Sequence, residues 1–285
     1  MINVGILLAI IVLAAYSIAD TFGKRVVLRL GYKRATAVVS GLGMIPFILL
    51  YAFLPSQAIT AYSIELSAIA GVFYGLGFLL LYKSLVTEQT TNTFALSEFF
   101  KAWLVLLGVF ILGNVLVLGQ EAGVVLIFAG SFLVITTEKM RINKKLGYAL
   151  MGFISWAVLW TLMAFAIYAS KSYLAEGLVA AFFAMLTGIV ASVAMPDSAQ
   201  KANAKSELKN WKAIAVMVGL AIGAGSLIFG YLILTKQLSE GASIIALTPI
   251  VVALASRKIY IDRLTAMQTL GIAIAVLGAL VLSFS

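Results

Sequence analysis

The chain has 285 residues, 63% of them hydrophobic and 11% charged, with a formal net charge of +9. Soluble domains average about 45–50% apolar and about 25% charged residues, so this composition excludes a water-soluble enzyme, a nucleic-acid module and a secreted disulfide scaffold. Cysteine and histidine are both absent, which removes disulfides, the usual zinc, copper and haem ligands and any histidine-based triad. No metal and no cofactor is expected. What remains is an integral membrane protein whose surplus lysine and arginine faces anionic lipid rather than nucleic acid.

Ten stretches are apolar and long enough to cross a bilayer, at roughly 3–23, 35–54, 66–86, 92–113, 121–137, 146–169, 174–195, 213–234, 242–257 and 264–284. They are continuous runs without a two-residue alternation, so the fold class is all-α, with every backbone group satisfied inside a helix. The start, Met1-Ile2-Asn3, carries no positive charge ahead of the first run, which therefore reads as a retained helix. The longest polar stretch, Pro196 to Lys212, reads as a solvated loop or surface helix.

In chain order, the first span carries Tyr16 at its middle, then Asp20 and Lys24 at i and i+4 near its end, a spacing suited to an interfacial salt bridge or to gating. Tyr82 and Lys83 come late in span three. Glu98 and Lys101 fall in the first half of span four and share a helical face. An ionisable residue within a span is costly and points to function. Three roles fit this pair: a structural ion pair, a site for the two charges of a zwitterion, or proton coupling through Glu98. Trp156 and Trp160 are one turn apart in span six and line either a cavity or the lipid face. Tyr231 is late in span eight. Lys83 and Lys236 stand at span ends near Glu88 and Glu240, as boundary anchors or a gate. Thr248-Pro249 interrupts the hydrogen-bond ladder of span nine.

A shift of 148 residues superposes Gly71, Gly75 and Gly77 on Gly219, Gly223 and Gly225. The same shift superposes Thr87 and Gln89 on Thr235 and Gln237, and Gln120, Gly123 and Gly130 on Gln268, Gly271 and Gly278. The halves are therefore residues 1–140 and 141–285, with five spans each. Because five is odd, two such halves must run in opposite directions, an inverted-topology repeat. The glycines are small-x-x-x-small contacts between helices. Spans five and ten could use theirs for a homodimer or inside a monomer.

Seventeen lysines and arginines lie at the cytoplasm-facing ends if odd-numbered loops are inside, against Lys171 and Lys236 on the other side. Charge thus places odd-numbered loops in the cytoplasm and both termini outside. The plasma membrane is the default location.

The sequence resembles the drug/metabolite transporter superfamily in its ten-helix, EamA-like branch. The resemblance is carried by Ala246-Leu247-Thr248-Pro249, by Asp262-Arg263-Leu264-Thr265, and by Gln268, Gly271 and Gly278. It departs from the family pattern at Lys101, which stands at the proline position of the first repeat, and at Asn114, at the acidic position. The branch's usual charge pattern places both termini in the cytoplasm, the reverse of this chain's charges. The resemblance implies alternating-access transport, more often export, of a small organic solute such as an amino acid. It also implies that spans one, three, four, six, eight and nine surround the site. A channel or non-transporting scaffold is the alternative; a membrane-embedded enzyme lacks the residues it would need.

Overall fold

The computed structural model describes residues 4–54, 59–86, 90–95, 97–135, 144–194, 210–259 and 265–284. Glu88 lies outside the described residues, as do the 196–209 part of the polar stretch and 262–264 of the resemblance motif.

The first repeat contains α1 (Val4–Leu30), α2 (Tyr32–Phe53), α3 (Ala61–Leu85), α4 (Thr90–Ala95), α5 (Ser97–Leu106) with a π-turn at Leu107–Ile111, and α6 (Leu118–Ile135). The second contains α7 (Lys144–Ser170), α8 (Tyr173–Ala194), α9 (Trp211–Leu234), α10 (Leu238–Ile245), α11 (Thr248–Ile259) and α12 (Ala266–Phe284). The chain is all-helical among the described residues, as expected. Seven segments are long and apolar enough to cross a membrane among the described residues: α1, α2, α3, Gly147–Ser170 of α7, α8, α9, and Gly241–Ile259 across α10 and α11. The predicted fourth span is described as α4 and α5, on either side of residue 96, followed by the π-turn.

The ninth span breaks just before Thr248-Pro249. Ala246 and Leu247 turn, and α11 starts afresh with Pro249 in its first turn, where a missing N–H costs nothing. The carbonyl that Pro249 leaves free belongs to Ile245; it accepts instead from the Thr248 hydroxyl at 2.5 Å. Helix starts recur at the same offset in the two repeats: Thr90 of α4 and Leu238 of α10 are 148 residues apart, as are Leu118 of α6 and Ala266 of α12.

Contacts repeat as well. α3 rests on α7 as α9 rests on α1, and α8 rests on α3 as α2 rests on α9. Gly71 and Gly75 of α3 meet Ala180 and Ala184 of α8; their counterparts Gly219 and Gly223 of α9 meet Val39 and Gly43 of α2. Two equivalent pairs pack side by side and antiparallel. In α2–α8, Gly188 meets Ala37 while Gly177 meets Phe47; in α6–α12, Gly130 meets Ala275 while Gly278 meets Ile127. A Cβ on Gly278 would fall 2.7 Å from the Gly123 oxygen. The glycines of spans five and ten are thus used within one chain.

Candidate functional site

The helices surround a central cavity. Tyr16 and Asp20 reach it from α1, Tyr74 and Phe78 from α3, Phe100 and Lys101 from α5, and Phe153, Trp156 and Trp160 from α7. Ile222 and Ser226 of α9, Ile245 of α10 and Thr248 of α11 close the ring. Most of this lining falls into pairs related by the repeat. Tyr16 and Trp156 are 140 residues apart, as are Asp20 and Trp160; Tyr74 and Ile222, Phe78 and Ser226, and Phe100 and Thr248 are each 148 apart. The cavity therefore lies where the two repeats meet.

Glycine creates the space for two of the walls. Gly77 of α3 faces the Trp156 indole, and its counterpart Gly225 of α9 faces the Tyr16 ring, whose Cε1 would lie 2.7 Å from an added Cβ. Trp156 is held edge-on by Phe78, Phe100 and Phe153, at centroid distances of 5.1, 6.1 and 5.5 Å. Trp160 is fixed the same way against Phe229 at 4.5 Å. These are the tilted arrangements that aromatic quadrupoles favour.

The polar groups are few and placed. The Ser226 hydroxyl lies 3.3 Å from the Tyr16 phenol and 3.1 Å from that of Tyr74, tying α1, α3 and α9 together. The Trp156 Nε1–H is buried and has no hydrogen-bond partner among the described residues. Lys101 is only 3% exposed, and its ammonium acts electrostatically on Asp20 across the cavity. A carboxylate, an ammonium and a spare N–H donor thus converge in an aromatic enclosure. Such a site can meet an amine, an acid and an apolar body at once.

Of the residues singled out in the sequence, Tyr16, Asp20, Lys101, Trp156, Trp160 and Thr248 share this cavity. The interfacial reading of Asp20 is corrected, because it lines the centre. Pro249 is buried beside Thr248. Tyr82 is buried one turn beyond Phe78 and stacks on it at 5.3 Å, outside the lining. Tyr231 is 38% exposed on α9 and meets Tyr173 edge-on. Lys83 sits over the Tyr148 ring at 4.0 Å, clipping α3 to α7 away from the cavity. Glu98 belongs to α5, but its side chain and that of Glu240 are outside the described residues. Sequence reasoning missed Tyr74, Phe78, Phe100, Phe153 and Ser226. The 148-residue shift that pairs Phe78 with Ser226 was the available signal.

Lys236 is also away from the cavity. It is exposed, has φ 61°, and closes α9: its N–H donates to Ile233 O at 3.1 Å, and that of Gln237 to Leu232 O at 2.9 Å. This is a Schellman cap with lysine where glycine is favoured. Lys236→Gly is expected to raise stability by about 0.5–1 kcal/mol, through relief of left-handed strain. A melting curve in detergent checks this; an unchanged or lower midpoint contradicts it.

Apolar helices of membrane-spanning length, arranged as two matched repeats around one cavity, define a multi-pass membrane protein of the transporter type. The chain belongs to the EamA-like transporter family, of the drug/metabolite transporter superfamily, whose sequence profile matches residues 3–136 and again 143–284. Members of this family are transporters and not enzymes. A crystal structure of a protein described no further superposes with a TM-score of 0.71 over 96% of this chain and 97% of its own, at 15% identity; it shares the fold. No curated protein matches the sequence.

Proposed function

We propose that this chain is a secondary carrier that moves a small amphipathic organic solute, an amino acid or a related metabolite, by alternating access. The single observation that carries the reading is the cavity on the seam of the two repeats, with Asp20 and Lys101 facing it amid aromatic rings. Asp20 takes the solute's ammonium, Lys101 and the Trp156 N–H take its carboxylate, and the rings of Tyr16, Tyr74 and Trp160 take its apolar part. Glu98, three residues before Lys101 in the sequence, assists it. Thr248 and Pro249 sit at a helix break, where an unwound backbone can face solute.

The two halves, 1–140 and 141–285, are inverted repeats of five spans. The antiparallel pairing of the equivalent helices α2 with α8 and α6 with α12 supports this, since a two-fold axis that reverses a helix lies across it. Exchange of conformations between the halves opens the cavity to one side and then the other. The carrier works as a monomer in the plasma membrane with odd-numbered loops in the cytoplasm, and exports its solute.

The test is counterflow in proteoliposomes with labelled amino acids. Saturable, trans-stimulated uptake is expected. Flux that does not saturate indicates a channel and overturns the carrier reading. Absence of uptake for every amino acid, with uptake of sugars, nucleosides or lipophilic cations, overturns the solute class.

A further inference from the structure

The crossing of α3 and α8 buries a carboxylic acid that the cavity does not use. Glu176, in the first turn of α8, is fully buried, and the Ser67 hydroxyl of α3 donates a hydrogen bond to its Oε2. The other oxygen, Oε1, is equally dry and accepts no hydrogen bond among the described residues.

The repeat supplies an internal control. α8 matches α2 at a shift of 141, the shift that carries Ala180 and Ala184, the partners of Gly71 and Gly75, onto Val39 and Gly43, the partners of Gly219 and Gly223. At the twin crossing of α2 and α9, the positions of Glu176 and Ser67 are held by Ala35 and Ala215, both buried. Two alanines therefore suffice to close this crossing, and the serine–glutamate pair is an addition to one of the two.

Among the described residues, the surroundings offer no strong counter-charge. On α3, Glu65 is exposed. Lys33 and Arg34 sit at the opposite end of α2, Lys144 and Lys145 at the opposite end of α7, and Lys212 at the opposite end of α9. Lys171, between α7 and α8, is exposed, and its ammonium lies over the Tyr168 ring. Tyr51 and Tyr173 are the nearby phenols, both packed against the Phe47 and Leu174 cluster. The start of α8 favours a negative group, but a helix end contributes less than the cost of a dry anion with a neutral partner. A carboxylate so placed calls for a small cation of its own.

We propose that Glu176 and Ser67 form a monovalent-cation site, for H⁺ or Na⁺, separate from the solute cavity, and that its occupancy couples ion movement to solute movement. Occupancy reaches the cavity through α3: Tyr74 lies two turns from Ser67 on the same helical face, and α3 and α8 come from different repeats. The coupling half rests on the carrier reading above; the binding half does not.

Dicyclohexylcarbodiimide modifies carboxyl groups that are protonated in apolar surroundings. Treatment of the purified full chain in detergent is expected to give an adduct on Glu176, located by peptide mass spectrometry. Protection by Na⁺ but not by choline identifies sodium as the cation; labelling indifferent to Na⁺ identifies the proton. In proteoliposomes, Glu176→Gln is expected to keep solute exchange and lose gradient-driven accumulation by about tenfold or more, the scale of an ordinary coupling between two sites. Absence of both adduct and Na⁺ effect overturns the site. Undiminished accumulation in Glu176→Gln overturns the coupling. If wild-type protein carries none of the solutes tested, the carrier reading fails, while the labelling still decides the cation site.

Discussion

Lys101→Met is expected to lower counterflow of a zwitterionic solute by about 30-fold or more, because removing one member of a buried charge pair costs about 2–5 kcal/mol and each 1.4 kcal/mol is tenfold. Lys101 is almost fully buried, and Asp20 shares its cavity. Methionine keeps the length of the side chain and removes only the charge, so the solute's carboxylate loses its partner while the aromatic walls stay in place. Asp20→Asn is expected to act on the same scale through the ammonium. The double variant should fall short of the product of the two, since Asp20 and Lys101 also act on each other and the two losses are not independent. A primary amine without a carboxylate provides the decisive comparison. It needs Asp20 and not Lys101, so Lys101→Met should leave its uptake unchanged or raise it. An equal loss for amine and amino acid would mean that Lys101 holds the helices and does not read the solute.

Asp20 shows why part of this site was hidden in the sequence. The hydropathy run places the end of the first span near residue 23, which puts Asp20 at the interface. The helix in fact continues to Leu30, so that at 1.5 Å per residue its 27 residues extend for about 40 Å and Asp20 falls inside. The basic residues after Asp20 lowered the hydropathy without ending the helix. The repeat was legible from α3 onward because its glycines sit where backbones or large rings press close. It was not legible in the first two helices, where the shift changes from 148 to 140 and 141, so the pairing of Tyr16 with Trp156 and of Asp20 with Trp160 was lost. One helix break was legible from Pro249. Tyr74, Phe78 and Phe153 were invisible as site residues for a different reason: an aromatic side chain on an apolar helix looks the same whether it faces lipid, another helix or a cavity. The hydrogen bond of Tyr74 to Ser226 joins residues 152 apart and exists only once α3 and α9 are docked.

Gly223→Ala is expected to be strongly damaging. The new Cβ would lie 2.9 Å from the Gly43 carbonyl carbon and overlap its oxygen. Both obstacles are backbone in the middle of α2, so no side chain can turn away, and α2 and α9 must separate. Overpacking of this kind costs about 1–3 kcal/mol and occasionally more, which for a large domain is a fall of several degrees in melting temperature at about 2–4 °C per kcal/mol. Gly147→Ala is the control. It has the same gain in helix propensity, about 1 kcal/mol, and nothing within 4 Å for the new methyl to meet, so its midpoint should hold or rise. Gly75→Ala probes the twin crossing, where the Cβ would meet Thr187 Cβ at 2.5 Å and the Ala184 oxygen at 2.9 Å. Part of that obstacle is a threonine side chain, so its loss should be smaller than at Gly223. The order Gly223, Gly75, Gly147 follows from whether backbone, mixed atoms or open space receives the methyl group. A wild-type midpoint for Gly223→Ala would mean that α2 and α9 do not approach so closely. The correspondence of the two crossings, on which the placing of the cavity and the Glu176 comparison both depend, would then lose its support.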